Sequence, residues 1–365
     1  MKKLAVVAVW MLGTCAWAQT EPAARNAPAP DIAAFVARLE VLRKSEKIPG
    51  LSVAVVHRGE IVLALGLGLA DVEHGVPATA QTPYDIASVA KPLSAVVALR
   101  LAEQGTIDLD RPLVEYSQWA DFCAQFSQQP SILAKDLRCQ PATHTLRHLL
   151  SHTATGSPGE RFSYNPVLYS WASRPMMSAA GADFSTLVQR YVFEPAGMKR
   201  SARKHRNLPL RQDLATLLAP GYHIAASGVV EPTPAPPPQG DGAAGGVVST
   251  VLDLAKFDIA LDSGTLISEA SRKAMVRPTR ANDGSALAYG LGWFVQQYRG
   301  QALVWHCGWW EDAYSALYLK IPDQDLSLII LANGEGVWRS NPLDKADVER
   351  SAFAKAFLQA FLGEP

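Results

Sequence analysis

Neither sign of charge is in excess in this chain. Its 34 Lys plus Arg are matched by 34 Asp plus Glu, so the basic footprint that polyanion binding needs is absent and nucleic acid is not an expected partner. Beyond residue 18 there is no apolar run of about 18 residues, the length a membrane-spanning helix requires, and the mature protein is expected to be soluble. No internal repeat is present. His148 and His152 stand four apart, but the acid of a His-Glu-x-x-His zinc site is lacking, and no third ligand clusters nearby. Neither a metal nor another cofactor is expected. What the chain does have is 48% hydrophobic and 19% charged residues, the balance of a globular protein with a packed core.

The first eighteen residues read as a secretory signal. Lys2 and Lys3 form the positive start, Leu4 to Leu12 the apolar middle, and Ala16-Trp17-Ala18 the cleavage site. Lipid attachment at Cys15 is disfavoured, because Thr14 stands where a small residue would precede a lipidated cysteine. Removal of this segment takes away two lysines and no acid, leaving a formal charge of −2. The expected location is periplasmic or secreted. An oxidising compartment then permits a disulfide between Cys123 and Cys139, two free thiols being the alternative, and Cys307 is left over.

After an Ala/Pro-rich leader, residues 19–30, a single domain over residues 31–363 is expected. Asp31 caps a helix carrying Phe35, Leu39 and Leu42, and Leu51–His57 with Ile61–Leu69 forms a hairpin around Arg58-Gly59-Glu60. Ser88 to Glu103 is apolar on nearly every side and reads as a buried helix. Short helices and loops follow from about Asp110 to Ala286, the clearest helical pieces being Leu146–Ser151, Phe184–Phe193 and Thr250–Leu261. Ala226 to Gly246 holds a proline run and then glycines, which predicts a mobile surface excursion. Strand patterns return at Leu291–Tyr298, Ala302–His306, Tyr314–Ile321 and Leu326–Leu331, and a helix is expected from about Asp344 to Leu362. The expected fold is α/β of the α+β kind. An antiparallel sheet draws on both chain ends (residues 31–87 and 287–363), flanked by helices, with residues 88–286 inserted as a mainly helical lobe.

Ser88-Val89-Ala90-Lys91 sets a hydroxyl and an amine one helical turn apart, on one face. A second Ser-x-x-Lys pair, Ser201 and Lys204, lies in the basic stretch Lys199–Arg206, a solvated loop by composition, where an amine keeps its proton. Ser88 instead opens a buried helix. There the helix N-terminus favours developing negative charge and desolvation pushes the amine's pKa down, as a base requires.

Further landmarks follow in order: His148-Leu149-Leu150-Ser151-His152-Thr153, Pro158 to Tyr164, Gly245-Gly246, Tyr289-Gly290-Leu291-Gly292-Trp293, and His306-Cys307-Gly308. With the Ser88 motif, this series resembles the class C β-lactamase and penicillin-binding-protein-related serine hydrolases, from roughly Ile48 to Asn333. The resemblance implies that Ser88 is a nucleophile, that Lys91 and Tyr164 share its proton, and that the backbone N–H groups of Ser88 and Trp309 hold the oxyanion. It also makes His306, Gly308, Trp309 and Trp310 candidates for substrate binding. Gly308 would leave space for substrate beside the strand, and either tryptophan could line an apolar acyl or leaving-group site.

Two departures from the family pattern bear on substrate, and a third makes the pocket rim unusual. Tyr164-Asn165-Pro166 lacks the asparagine two residues after the tyrosine that meets an acylamino group. His306 replaces a lysine that favours a substrate carboxylate, and Asp312 replaces a glycine. An esterase or peptidase acting on small apolar or D-amino-acid substrates is therefore expected ahead of a true β-lactamase. The alternative from another class is an inert protein that binds cell-wall peptide or a partner through the same groove. The Gly245-Gly246 pair is expected to serve tight backbone packing rather than phosphate binding, for want of a nearby lysine.

Overall fold

Strand β1 (Gly50–His57) sends Leu51, Val53 and Val55 into one core and Ala54 and Val56 into another, the two-residue period of a strand buried on both faces. The computed structural model describes residues 31–116, 118–140, 143–234, 239–339 and 345–363. The expected signal segment, Cys15, the leader and residues 235–238 of the proline run lie outside the described residues.

Helix α1 (Ile32–Ser45), capped by Asp31, precedes β1. Strand β2 (Glu60–Asp71) returns beside it, and Val76–Pro77 adds β3 at the sheet edge. Four short strands follow: β4 (Tyr84–Asp85), β5 (Ala202–Arg203), β6 (Tyr222–Ile224) and β7 (Val230–Pro232). Then come β8 (Val247–Ser249), β9 (Phe294–Tyr298), β10 (Gln301–Trp310), β11 (Tyr314–Ile321) and β12 (Leu326–Ala332). The main sheet runs β3-β2-β1-β12-β11-β10-β9, antiparallel throughout. Sequence-distant β1 and β12 pair at its centre, as a sheet built from both ends of the chain requires.

Helix α1 and the C-terminal helix Ala352–Leu362 cover one face, meeting through Phe35 and Phe357 at 6.1 Å between ring centres. That last helix starts later than expected, because Ser351 supplies its N-cap. The other face packs on the helix Val251–Asp262 and the turn Ala87–Val89, and shares a core with helix α2 (Ala90–Glu103), of which every residue from Ala90 to Leu99 is buried. Between them the chain forms α3 (Trp119–Ser127), α4 (Leu146–Leu150), α5 (Pro166–Trp171) and later short helices.

A three-stranded sheet, β4-β8-β5, was not legible in the sequence. Its strands are only two or three residues long, too short to show a period, yet it joins the approach to Ser88 with Arg203 and the residues after Gly246. It also corrects the reading of Ser201 and Lys204. Ser201 is buried, bonded to Ser249 and Asp253, and Lys204 pairs with Asp85 at 3.0 Å, so the stretch is ordered scaffold and not a solvated loop. Part of the expected surface excursion is likewise a hairpin, β6 with β7.

Candidate active site

Ser88 sits in a single 3₁₀ turn, Ala87–Val89, that leads into α2. Ala87 holds φ at +46°, a region a non-glycine residue rarely enters, and its N–H donates to the Asp85 carboxylate at 2.9 Å. The turn aims Ser88 into a cleft of about 1160 Å³, while Lys91, one helical turn on, stays inside the protein.

Lys91 Nζ lies 2.7 Å from Ser88 Oγ and 3.3 Å from the Ala244 carbonyl. Its side chain is fully buried, and the loss of hydration lowers its pKa to about 7. Tyr164 follows the α4 segment and stacks on Phe294 and against His152. The Lys91 nitrogen stands 4.9 Å from its ring centre. The Tyr164 hydroxyl is buried and without a hydrogen-bond partner. Burial, then neighbouring Cys307, pushes its pKa well up, and the Ser88 hydroxyl pulls it part of the way back. The structure thus brings Ser88, Lys91 and Tyr164 to one point.

The glycine of strand β10 acts differently from expectation. A side chain on Gly308 would strike the Ile86 carbonyl and Ala316 rather than occupy substrate space. Glycine there lets β10 press directly against the Ser88 turn, which carries the Trp309 backbone to the nucleophile's neighbourhood. Both Trp309 and Trp310 line the cleft. Trp309 is 43% exposed, its indole N–H held by Glu335 at 2.7 Å. Asp312 adopts φ +57°, so a left-handed turn is kept without the glycine, and its carbonyl accepts from Thr233, which also lines the cleft.

His306 is corrected by the structure. It is fully buried and does not line the cleft. Its Nδ1–H donates to the Cys307 carbonyl at 2.6 Å, and its Nε2 accepts from Tyr289 at 2.9 Å. Burial, then the Lys91 charge, hold its pKa far below the usual histidine value. It is a neutral part of the scaffold, with both nitrogens engaged.

His148 and His152 do not share a helix, since α4 ends at Leu150 and His152 has φ +54°. His148 Nδ1 accepts from the Thr145 N–H in a capping box, and His152 Nδ1 accepts from the Asn165 N–H at 3.0 Å. Among the described residues no group of three or more His, Cys, Asp or Glu could hold a metal, and no helix is long and apolar enough to cross a membrane. Cys123 in α3 is disulfide-bonded to Cys139, and Cys307 is a free, buried thiol at the cleft.

Several site residues carried no sequence signal. Tyr169 on α5 donates to the Lys91 carbonyl at 2.9 Å. Arg203, from β5, donates to the carbonyls of Gly242 and Gly245 and so fixes the wall that includes Ala244. Gly246 has φ +73°, with the Lys204 carbonyl 2.9 Å from any added Cβ, so it serves close packing, whereas Gly245 lines the cleft and an added Cβ there would meet only the Ala87 carbonyl at 3.7 Å.

The profile of the Beta-lactamase family matches residues 33–351. Penicillin-binding protein 4* of Bacillus subtilis is 25% identical over 81% of this chain. The curated relatives it matches are longer, the chain spanning 70% of that protein and 60% of others. Among solved structures, the octameric penicillin-binding protein homologue from Pyrococcus abyssi superposes with a TM-score of 0.74 at 23% identity, over 92% of this chain and 78% of that one. The D-amino acid amidase from Ochrobactrum anthropi SV3 does so with a TM-score of 0.68 at 21% identity, over 90% and 98%. These structural likenesses carry the fold.

Proposed function

Because this chain belongs to the Beta-lactamase family, a family of serine hydrolases, we propose that it is an exported serine hydrolase that forms an acyl-enzyme on Ser88 and acts on an ester, amide or D-amino-acid peptide bond. The observation that carries the reading is the 2.7 Å contact between Ser88 Oγ and a fully buried Lys91 whose pKa lies about 7. An amine so placed loses its proton near neutrality and can take the serine's.

In this mechanism neutral Lys91 donates one N–H to the Ala244 carbonyl and turns its lone pair to the Ser88 hydroxyl. Ser88 Oγ attacks the substrate carbonyl as its proton passes to Lys91. The tetrahedral oxyanion is held by the N–H groups of Ser88 and Trp309. Tyr164, kept protonated by its burial, stands at the same point to pass a proton between Lys91 and the leaving group, whose bond to the acyl carbon then breaks. Water enters by the reverse proton path and releases the acid.

Export is supported by the signal pattern of residues 1–18 and by the Cys123–Cys139 disulfide, which suits an oxidising compartment. An esterase or amidase ranks above a β-lactamase, because neutral, buried His306 offers no cation for a substrate carboxylate. The shared fold of a D-amino acid amidase adds amides of D-amino acids to the candidates. Rates on a short-chain nitrophenyl ester, a D-amino-acid amide and a cephalosporin test the ranking, with cephalosporin expected slowest. A dominant cephalosporin rate reverses it.

A further inference from the structure

The chain between Cys123 and Cys139 is a loop closed at its base by their disulfide, and Leu133, within it, lines the cleft. Three contacts fix this loop against the segment that carries Tyr164. Asn165 Nδ2 donates to the Leu133 carbonyl at 2.6 Å, the Gly156 N–H donates to the Asp136 carbonyl at 2.9 Å, and Arg161 pairs with Asp136 at 3.2 Å.

Asn165 is therefore engaged at both ends of its amide, since its Oδ1 accepts from the Leu168 N–H at 3.0 Å, and it is 2% exposed. It has turned away from the cleft to hold the loop. The next two residues, Pro166 and Val167, line the cleft with Leu133, and none of the three has a polar side-chain atom. These three residues thus make a hydrocarbon patch, with the polar side chains of Arg161, Ser163 and Ser170 elsewhere on the same cleft, and an unpaired amide buried against the patch would be disfavoured.

We propose that Leu133, presented by the disulfide-closed loop, is a specificity-determining residue that forms, with Pro166 and Val167, the subsite for an unsubstituted apolar acyl chain. The assignment rests on the serine-hydrolase reading and narrows its substrates to acyl groups without an acylamino substituent. Burial of each methylene against such a wall raises kcat/KM about fourfold until the subsite is full.

The test is hydrolysis of p-nitrophenyl esters from acetate to octanoate, with N-acetylglycine p-nitrophenyl ester alongside, by the wild type, Leu133→Ala and Leu133→Trp. Leu133 is only half-buried, so both variants should keep the fold, checked by Tm. The expected result is a rise from acetate upward in the wild type, with an optimum displaced to longer chains by Leu133→Ala and to shorter ones by Leu133→Trp. The same chain-length profile in all three proteins overturns the assignment. So does a tenfold preference for the N-acetylglycine ester over butyrate, which would place the acylamino group against Gln239, an amide side chain that also lines the cleft. In both cases Ser88 still becomes acylated and the hydrolase reading stands. If no ester is turned over and mass spectrometry finds no acyl-Ser88, both fail together.

Discussion

Arg203 and Asp241 form an ion pair at 3.0 Å, buried behind the wall that holds Lys91. Asp241 also accepts from the N–H groups of Phe184 and Ser185, and Arg203 donates to the carbonyls of Gly242 and Gly245. The pair therefore clamps residues 242–245, and with them the Ala244 carbonyl that bonds Lys91 Nζ.

Replacing Arg203 with Met leaves Asp241 without its cation and frees the wall. Breaking such a pair from one side costs roughly 3 kcal/mol, so urea unfolding should show a loss of that order. Activity per folded molecule should fall about tenfold, the scale on which a misaligned proton acceptor slows acyl transfer. Unchanged activity in the folded variant would reduce the clamp to a stabilising role.

Lys91 sets the pH dependence. A base with a pKa of about 7 works only once deprotonated, so kcat/KM should rise with pH through a limb centred near 7 and level off above it. Tyr164, whose pKa burial raises, remains protonated across that plateau and adds no falling limb below about pH 10. A limb near 10 instead would mean that Lys91 keeps its ordinary basicity.

The same burial weakens the fold. The unfolded Lys91 binds a proton up to its model value of 10.5 and the folded one only up to about 7, so stability rises as pH climbs between those values. The penalty is fully present below 7. Lys91→Met should be more stable than the wild type at pH 6 by something on the order of a few kcal/mol, and inactive. That advantage should shrink by pH 10. Equal unfolding curves for the two proteins at pH 6 would show that the amine is not held against its protonation.

Much of this arrangement was legible beforehand, because it rests on local patterns. Ser88 and Lys91 lie within one helical turn, the apolar faces of α2 mark it as buried, and the terminal strands are short apolar runs bounded by turn residues, enough to give a sheet from both chain ends. The rest depends on contacts between distant segments. Nothing near Arg203 in sequence announces that it will hold Gly245, and nothing in Asn165 shows that its amide faces Leu133 32 residues away. His306 was misread because a position on the strand beside the pocket glycine does not say which neighbours its ring meets. Tyr289, its partner, lies 17 residues earlier.

A second buried charge cluster joins the sheet to the helix Val251–Asp262. Asp258 accepts from Lys320, Tyr318 and Ser327, and Lys320 also reaches Asp262 at 2.9 Å. Lys320→Met strands Asp258 in the interior and should cost roughly 3 to 5 kcal/mol. The cluster includes none of the residues that line the cleft, so turnover per folded molecule should hold. Thermal unfolding paired with active-site titration reads the two effects separately.

Activation of Ser88 by buried Lys91 is read out by the rate at which a phosphonate probe labels Ser88, followed by peptide mass spectrometry between pH 5 and 9. A single adduct on Ser88 is expected, with a rate rising through a midpoint near pH 7 and a drop of about a thousandfold in Lys91→Met. No adduct on Ser88, or equal rates with and without Lys91, would contradict it.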